Sequence, residues 1–226
     1  MKAPIRTLLL PCLLGSVFTA GDAMAHPHVW VSVKSEIVMD AMSVSAVKHV
    51  WTFDEAFSAF AIQGLDEDGD GTYSREELQP LAQVNVESLS EYAFFTDLYE
   101  KGAPDSDEAI FSEPVDYWLT LDKGVLTLHF TLPVLEAAKA KVDASKEVIL
   151  DVYDPSFFVD FSFANDSPIT LANAGAGCSV AVKQAEALDD DTMGLLAQIP
   201  ADQRELPDDL MQMTATMANQ VFLTCK

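Results

Sequence analysis

Polar and apolar positions alternate over residues 28–38, with Val29, Val31 and Val33 set against His28, Ser32 and Lys34; this period of two predicts a strand with one buried face. Residues 45–53 repeat the pattern after a turn at 40–43, so the two runs are expected to pair as a hairpin. The period changes at Thr52-Phe53-Asp54-Glu55. That tetrad has the form of a capping box, and Ala56, Phe57, Phe60 and Ala61 follow at helical spacing until Gly64. A second helix is expected from about Arg75 through Leu78, Leu81, Val84, Leu89 and Tyr92 to Leu98. Pro80 predicts a kink or a late restart within it, because proline has no N–H to bond the preceding turn.

Beyond a polar loop at 101–108 the alternation returns. Runs 117–121 and 125–132 flank Asp122-Lys123-Gly124 as a hairpin closed at Pro133, and a short helix is expected over 134–141. Runs 147–153 and 157–163 flank Asp154-Pro155 as two strands of the same sheet system. Strands at 169–171, 178–182 and 220–225 and helices at 191–198 and 207–218 complete the chain. The expected fold is α+β: one domain over 26–226, mainly antiparallel β, with a helical segment at 54–100 inserted after the first hairpin.

The first 25 residues stand outside this scheme. Lys2 and Arg6 precede an apolar run at 8–18 and then Ala23-Met24-Ala25, the small-x-small site of a signal peptide cleaved after Ala25. The run is well short of the ~20 residues that cross a bilayer, so export to the periplasm with no stable membrane anchor is expected. Cys12, preceded by Pro11, goes with the leader. The charge balance, 13 Lys and Arg against 36 Asp and Glu, gives a net −23. Such a surface repels phosphate backbones, which argues against nucleic acid, while it attracts cations and favours solubility. Two cysteines remain after cleavage, Cys178 and Cys225; an oxidising compartment predicts a disulfide between them, and they lack the CxxC spacing of a thiol metal site.

Residues 66–77 carry the most specific chemistry. Calcium takes six to eight hard oxygens, and an EF-hand loop supplies them from positions 1, 3, 5, 7, 9 and 12 around a glycine at 6. Here those positions are Asp66, Asp68, Asp70, Thr72, Ser74 and Glu77 around Gly71, with helices expected on both sides. Position 8, where paired hands carry a branched aliphatic, is Tyr73, and no second hand follows. A lone hand in an exported protein predicts affinity of roughly 10⁻⁴ to 10⁻³ M and a structural role. Cleavage after Ala25 would also leave His26-Pro27-His28 as the new terminus. One amine and two imidazoles suit Zn2+, Ni2+, Co2+ or copper. Pro27, with no N–H to lose, blocks a backbone-amide square-planar site but leaves open a histidine brace at His26. His49, on the neighbouring strand, is the next candidate ligand, followed by His129, Asp151, Asp154 and Asp160. The bland alternative is that His28 and His49 pack beside Trp30 and Trp51.

His-Pro-His-Val-Trp after the leader, Trp51-Thr-Phe-Asp54, Gly64-Leu-Asp-Glu-Asp-Gly-Asp-Gly71, Asn85-Val-Glu-Ser-Leu89, Asp116-Tyr-Trp118 and Tyr153-Asp-Pro155 together resemble an uncharacterised bacterial periplasmic family labelled as the periplasmic component of an ABC-type transport system. The resemblance covers the mature chain. It implies neighbouring nickel/cobalt-type permeases, and some members, similar to the zinc-transport protein ZevA, are tied to zinc handling; an inner-membrane metal permease is thus the implied partner. The antiparallel pattern differs from the two α/β lobes of standard solute-binding proteins. With no nucleophile and base motif, phosphate loop or HExxH, a non-enzymatic metal-binding accessory protein with a structural calcium site is the leading expectation. A calcium-stabilised envelope interaction module with no transport role is the alternative, and copper oxygen chemistry at a histidine brace is a distant third.

Overall fold

The computed structural model describes residues 27–103, 108–186, 188–196, 198–199, 206–207, 210 and 218–226. The leader, His26 and most of the helix expected at 207–218 lie outside the described residues.

β1 (Val29–Asp40) and β2 (Ser43–Phe53) form the expected hairpin, with Ser35 opposite His49. β5 (Val125–Pro133) pairs with β2 and β4 (Val115–Asp122) with β5, both antiparallel. β7 (Val159–Phe163) and β8 (Ile169–Ala172) both run parallel to β1. The second sheet is fully antiparallel: β3 (Thr96–Glu100), β6 (Val148–Val152), β10 (Asn219–Cys225) and β9 (Cys178–Lys183), adjacent in that order. Strand alternation turns Val31, Val33, Ile37, Trp51 and Phe130 of the first sheet and Leu98, Leu150, Val221 and Leu223 of the second into one core. Each such fully buried side chain contributes about 1.5–3 kcal/mol by leaving water. The disulfide joins Cys178 to Cys225, which face each other across β9 and β10. The fold is α+β and mostly antiparallel.

Two helices bridge the first hairpin and the second sheet. α1 (Glu55–Ala61) is capped by Asp54, not by Thr52, which is still within β2; Asp54 Oδ1 accepts the Phe57 N–H at 2.8 Å. Buried Ser58 fastens α1 to β5 by accepting the Leu126 N–H at 3.0 Å. α2 (Arg75–Ser90) continues through Pro80, so it makes no late restart there. Glu76, whose carbonyl the proline leaves without its helical donor, is exposed, so water can serve it.

Three other expectations are corrected. The second helix stops at Ser90 rather than Leu98, because Ala93, Phe94 and Phe95 adopt left-handed φ of 48°, 57° and 48° and turn the chain into β3. Non-glycine residues there cost on the order of 1–3 kcal/mol each and must be held by their surroundings. The runs around 147–153 and 157–163 belong to different sheets, β6 and β7. The segment after Pro133 is a 3₁₀ helix, Glu136–Lys141, shorter than the helix expected there. A smaller core of Phe157, Leu196, Ile199, Leu206 and Leu210 forms around α3 (Asp190–Leu196).

Candidate functional site

Local chemistry shapes the 66–77 loop before any ion is considered. Gly71 at position 6 has φ +80°, which an L side chain rarely adopts, and this permits the sharp turn. Asp66 accepts from the Asp70 and Gly71 N–H groups, both at 3.1 Å, while Asp70 Oδ1 accepts from Thr72 N–H at 2.7 Å and Thr72 Oγ1 at 2.6 Å. With Asp68 Oδ1 also accepting the Asp70 N–H at 3.1 Å, these bonds gather the carboxylates of Asp66, Asp68 and Asp70 so that one oxygen from each lies within 4.8 Å of the others. Among the described residues this is the one such group of three. Like charges that close repel unless a cation lies between them, so the set fits a hard divalent ion.

Glu77 stands beside this triad with its oxygens engaged. Oε1 accepts the Glu67 N–H at 2.9 Å, and Oε2 accepts from Ser74 N–H and Ser74 Oγ, both at 2.8 Å. Ser74 in turn caps α2, so position 9 and position 12 form a capping box. The backbone and hydroxyl of Ser74, then the backbone of Glu67, hold the Glu77 carboxyl below its usual range.

The far side of the loop is docked on the first sheet. Tyr73 packs on the core, and the Arg75 guanidinium lies 4.8 Å from the Trp118 ring centre. Trp118 in turn stacks on His129, with ring planes 3° apart and centroids 4.6 Å apart. Burial first, and the Arg75 charge second, lower the His129 pKa, so this imidazole favours its neutral form. Pairwise sequence patterns gave no sign of this stack, because β4 meets α2 only through the tertiary fold.

Among the described residues, His28 and His49 do not converge. His28 lies at the foot of β1, half-buried, its N–H donating to Phe158 O at 2.9 Å and its ring 4.6 Å from that of Phe158. His49 pairs with Ser35, seven residues further along β1, about 23 Å away by strand rise. It also points to the opposite face. At 1% exposure His49 is a core residue, with Ser35 Oγ 2.9 Å from Nδ1 and Thr96 Oγ1 3.3 Å from Nε2. Thr96 gives its hydroxyl proton to Phe94 O at 2.8 Å, so Nε2 carries the imidazole proton and Nδ1 accepts from Ser35. His49 is therefore a polar tie between the sheets, and its proposed approach to His28 is corrected. Asp154 is likewise structural: it accepts from Ser156 N–H at 2.8 Å and Val159 N–H at 3.0 Å. Burial raises the carboxyl pKa of Asp160.

No helix among the described residues is long and apolar enough to cross a membrane. Residues 11–225 match the family described as Protein of unknown function (DUF1007). An uncharacterized protein of Haemophilus influenzae (strain ATCC 51907 / DSM 11121 / KW20 / Rd) is 19% identical over 214 residues, covering 95% of this chain and 98% of that protein.

Proposed function

The chain belongs to the DUF1007 family, and from the sites above we propose that it is an exported, non-enzymatic divalent-metal-binding protein. In this reading the 66–77 loop takes calcium as a structural ion, and His26 with His28 offers a transition metal, Zn2+, Ni2+ or Co2+, to a partner permease of the inner membrane. The observation that carries the calcium reading is the Asp66, Asp68 and Asp70 triad gathered around a left-handed Gly71. Thr72 would add its carbonyl, Ser74 a water, and Glu77 its carboxylate. Calcium supplies no chemistry here; it ties α1 to α2. Because Arg75 lies over Trp118, a stiffened loop also steadies β4.

Glu77 must give up part of its capping set to ligate with both oxygens, which lowers the net gain from the ion and agrees with weak, extracellular-range affinity. Titration calorimetry on the protein recovered from the periplasm is expected to give one calcium site with Kd on the order of 10⁻⁴ to 10⁻³ M. At a hundredfold excess over Kd the ion should add about 2.7 kcal/mol of stability. Glu77→Gln and Asp66→Asn should each lose the heat and the stabilisation. A wild-type protein with no calcium heat, and a melting temperature indifferent to EDTA, would sink the reading. The transport half rests on the His-Pro-His terminus, and transition-metal binding that persists in a His26→Ala/His28→Ala variant would count against it. The second reading, an envelope interaction module braced by calcium, is favoured by the burial of His49, which removes one of the three histidine donors.

A further inference from the structure

The outer face of the second sheet opens on a cavity of about 1320 Å³ that is distinct from the calcium loop and the histidines. Its floor is set by strand register. Asp97 on β3 lies directly opposite Asp151 on β6, so both carboxylates project from the same face, as neighbours. Tyr99, two residues further along β3, and Tyr153, just past the end of β6, line the cavity on opposite sides of this antiparallel pair, and Phe94 and Phe111 contribute apolar wall.

The two carboxylates are not equivalent. Asp151 is 7% exposed and has a donor on each oxygen: Tyr99 Oη donates to Oδ2 at 2.8 Å and Gln220 Nε2 to Oδ1 at 3.0 Å. Asp97 is open to the cavity, and among the described residues no donor or cation answers it. Lys141, which lines the cavity, is paired with Glu108, and Lys146 is paired with Glu100. Lys183, in the same row of the sheet, lies three strands from Asp97, about 14 Å by strand spacing. Asp97 is exposed at the cavity, and partial desolvation by the protein around it, then the charge of Asp151, raise its pKa.

Like charges directly opposite on adjacent strands destabilise a sheet. A positive group seated between Asp97 and the two phenol rings would remove that penalty, and it would find both a charge partner and aromatic faces that favour cations. A compact metal ion would need Asp151 to share oxygens already bonded by Tyr99 and Gln220, whereas an ammonium group needs only Asp97. We infer that this cavity is a binding site for an aliphatic ammonium group, held by Asp97 and flanked by Tyr99 and Tyr153.

Putrescine is a suitable probe, with calcium present throughout so that the 66–77 loop is saturated. In ring-labelled protein, putrescine is expected to shift the Tyr99 and Tyr153 resonances saturably, while neutral 1,4-butanediol does not. Asp97→Asn should weaken the response by roughly tenfold or more, as loss of a charge-assisted hydrogen bond does, whereas Asp97→Glu should keep it. The wild-type comparison of amine with diol stands even if a variant fails to fold. No saturable shift, equal shifts with the diol, equal affinity in folded Asp97→Asn, or magnesium reproducing the putrescine response would each overturn the assignment.

Discussion

Acidification from neutrality to pH 3 is expected to remove about 4 kcal/mol of folding stability through His49 alone. The imidazole is wholly enclosed, and burial lowers its pKa from 6.5 to about 3. The groups around it are Ser35 from β1, Trp51 beside it on β2, Phe130 from β5 and Thr96 from β3, none of them charged. A proton on Nδ1 could still be bonded by rotating the Ser35 hydroxyl, but the charge would have no counter-ion. A depressed pKa means that the unfolded chain binds the proton more tightly. His49 therefore contributes its full stability above pH 6.5 and loses it as pH falls toward 3. At about 1.36 kcal/mol per pH unit the ceiling is about 5 kcal/mol. Urea unfolding at pH 7.5 and 5 should show a wild-type loss about 2 kcal/mol larger than that of a His49→Gln variant. Equal losses would place His49 outside the core.

The second large effect is expected at the disulfide. Cys178 and Cys225 are 47 residues apart, and closing a loop of that size restricts the unfolded chain by about 4 kcal/mol on the chain-entropy account. The bond fixes the end of β10 to the edge strand β9, which is exposed along most of its length. A Cys178→Ser/Cys225→Ser protein should lose most of that 4 kcal/mol in denaturant unfolding at neutral pH. Wild-type protein treated with reductant should match it, whereas an unchanged midpoint in both would contradict the pairing. Such a bond belongs to an oxidising compartment, in keeping with export.

How much of this was legible follows from how local each feature is. The 66–77 loop is written in twelve consecutive residues, so the spacing that gathers Asp66, Asp68 and Asp70 and the turn at Gly71 could be read directly. Alternation also placed His49 with Trp51 and Phe53 on one face, and that face proved to be the core. What alternation cannot tell is which strands become neighbours. The parallel pairing of β1 with β7 and β8, and the split of β6 from β7 into separate sheets, arise from tertiary packing. For the same reason Asp151 was visible only as a weak candidate and Asp97 not at all, since their juxtaposition depends on a register between strands 54 residues apart in sequence. The left-handed turn at Ala93, Phe94 and Phe95 had no glycine to announce it, and helical spacing through Leu89 and Tyr92 pointed the other way.

Calcium occupancy is the point on which the functional account turns, and native mass spectrometry of the mature protein purified from cells that express the full-length chain reads it directly. The account predicts one calcium per chain that is released by EDTA and absent from Glu77→Gln, together with a terminus beginning at His26. A protein that carries no calcium in millimolar ion, or that keeps the same calcium when Glu77 and Asp66 are replaced, would contradict it.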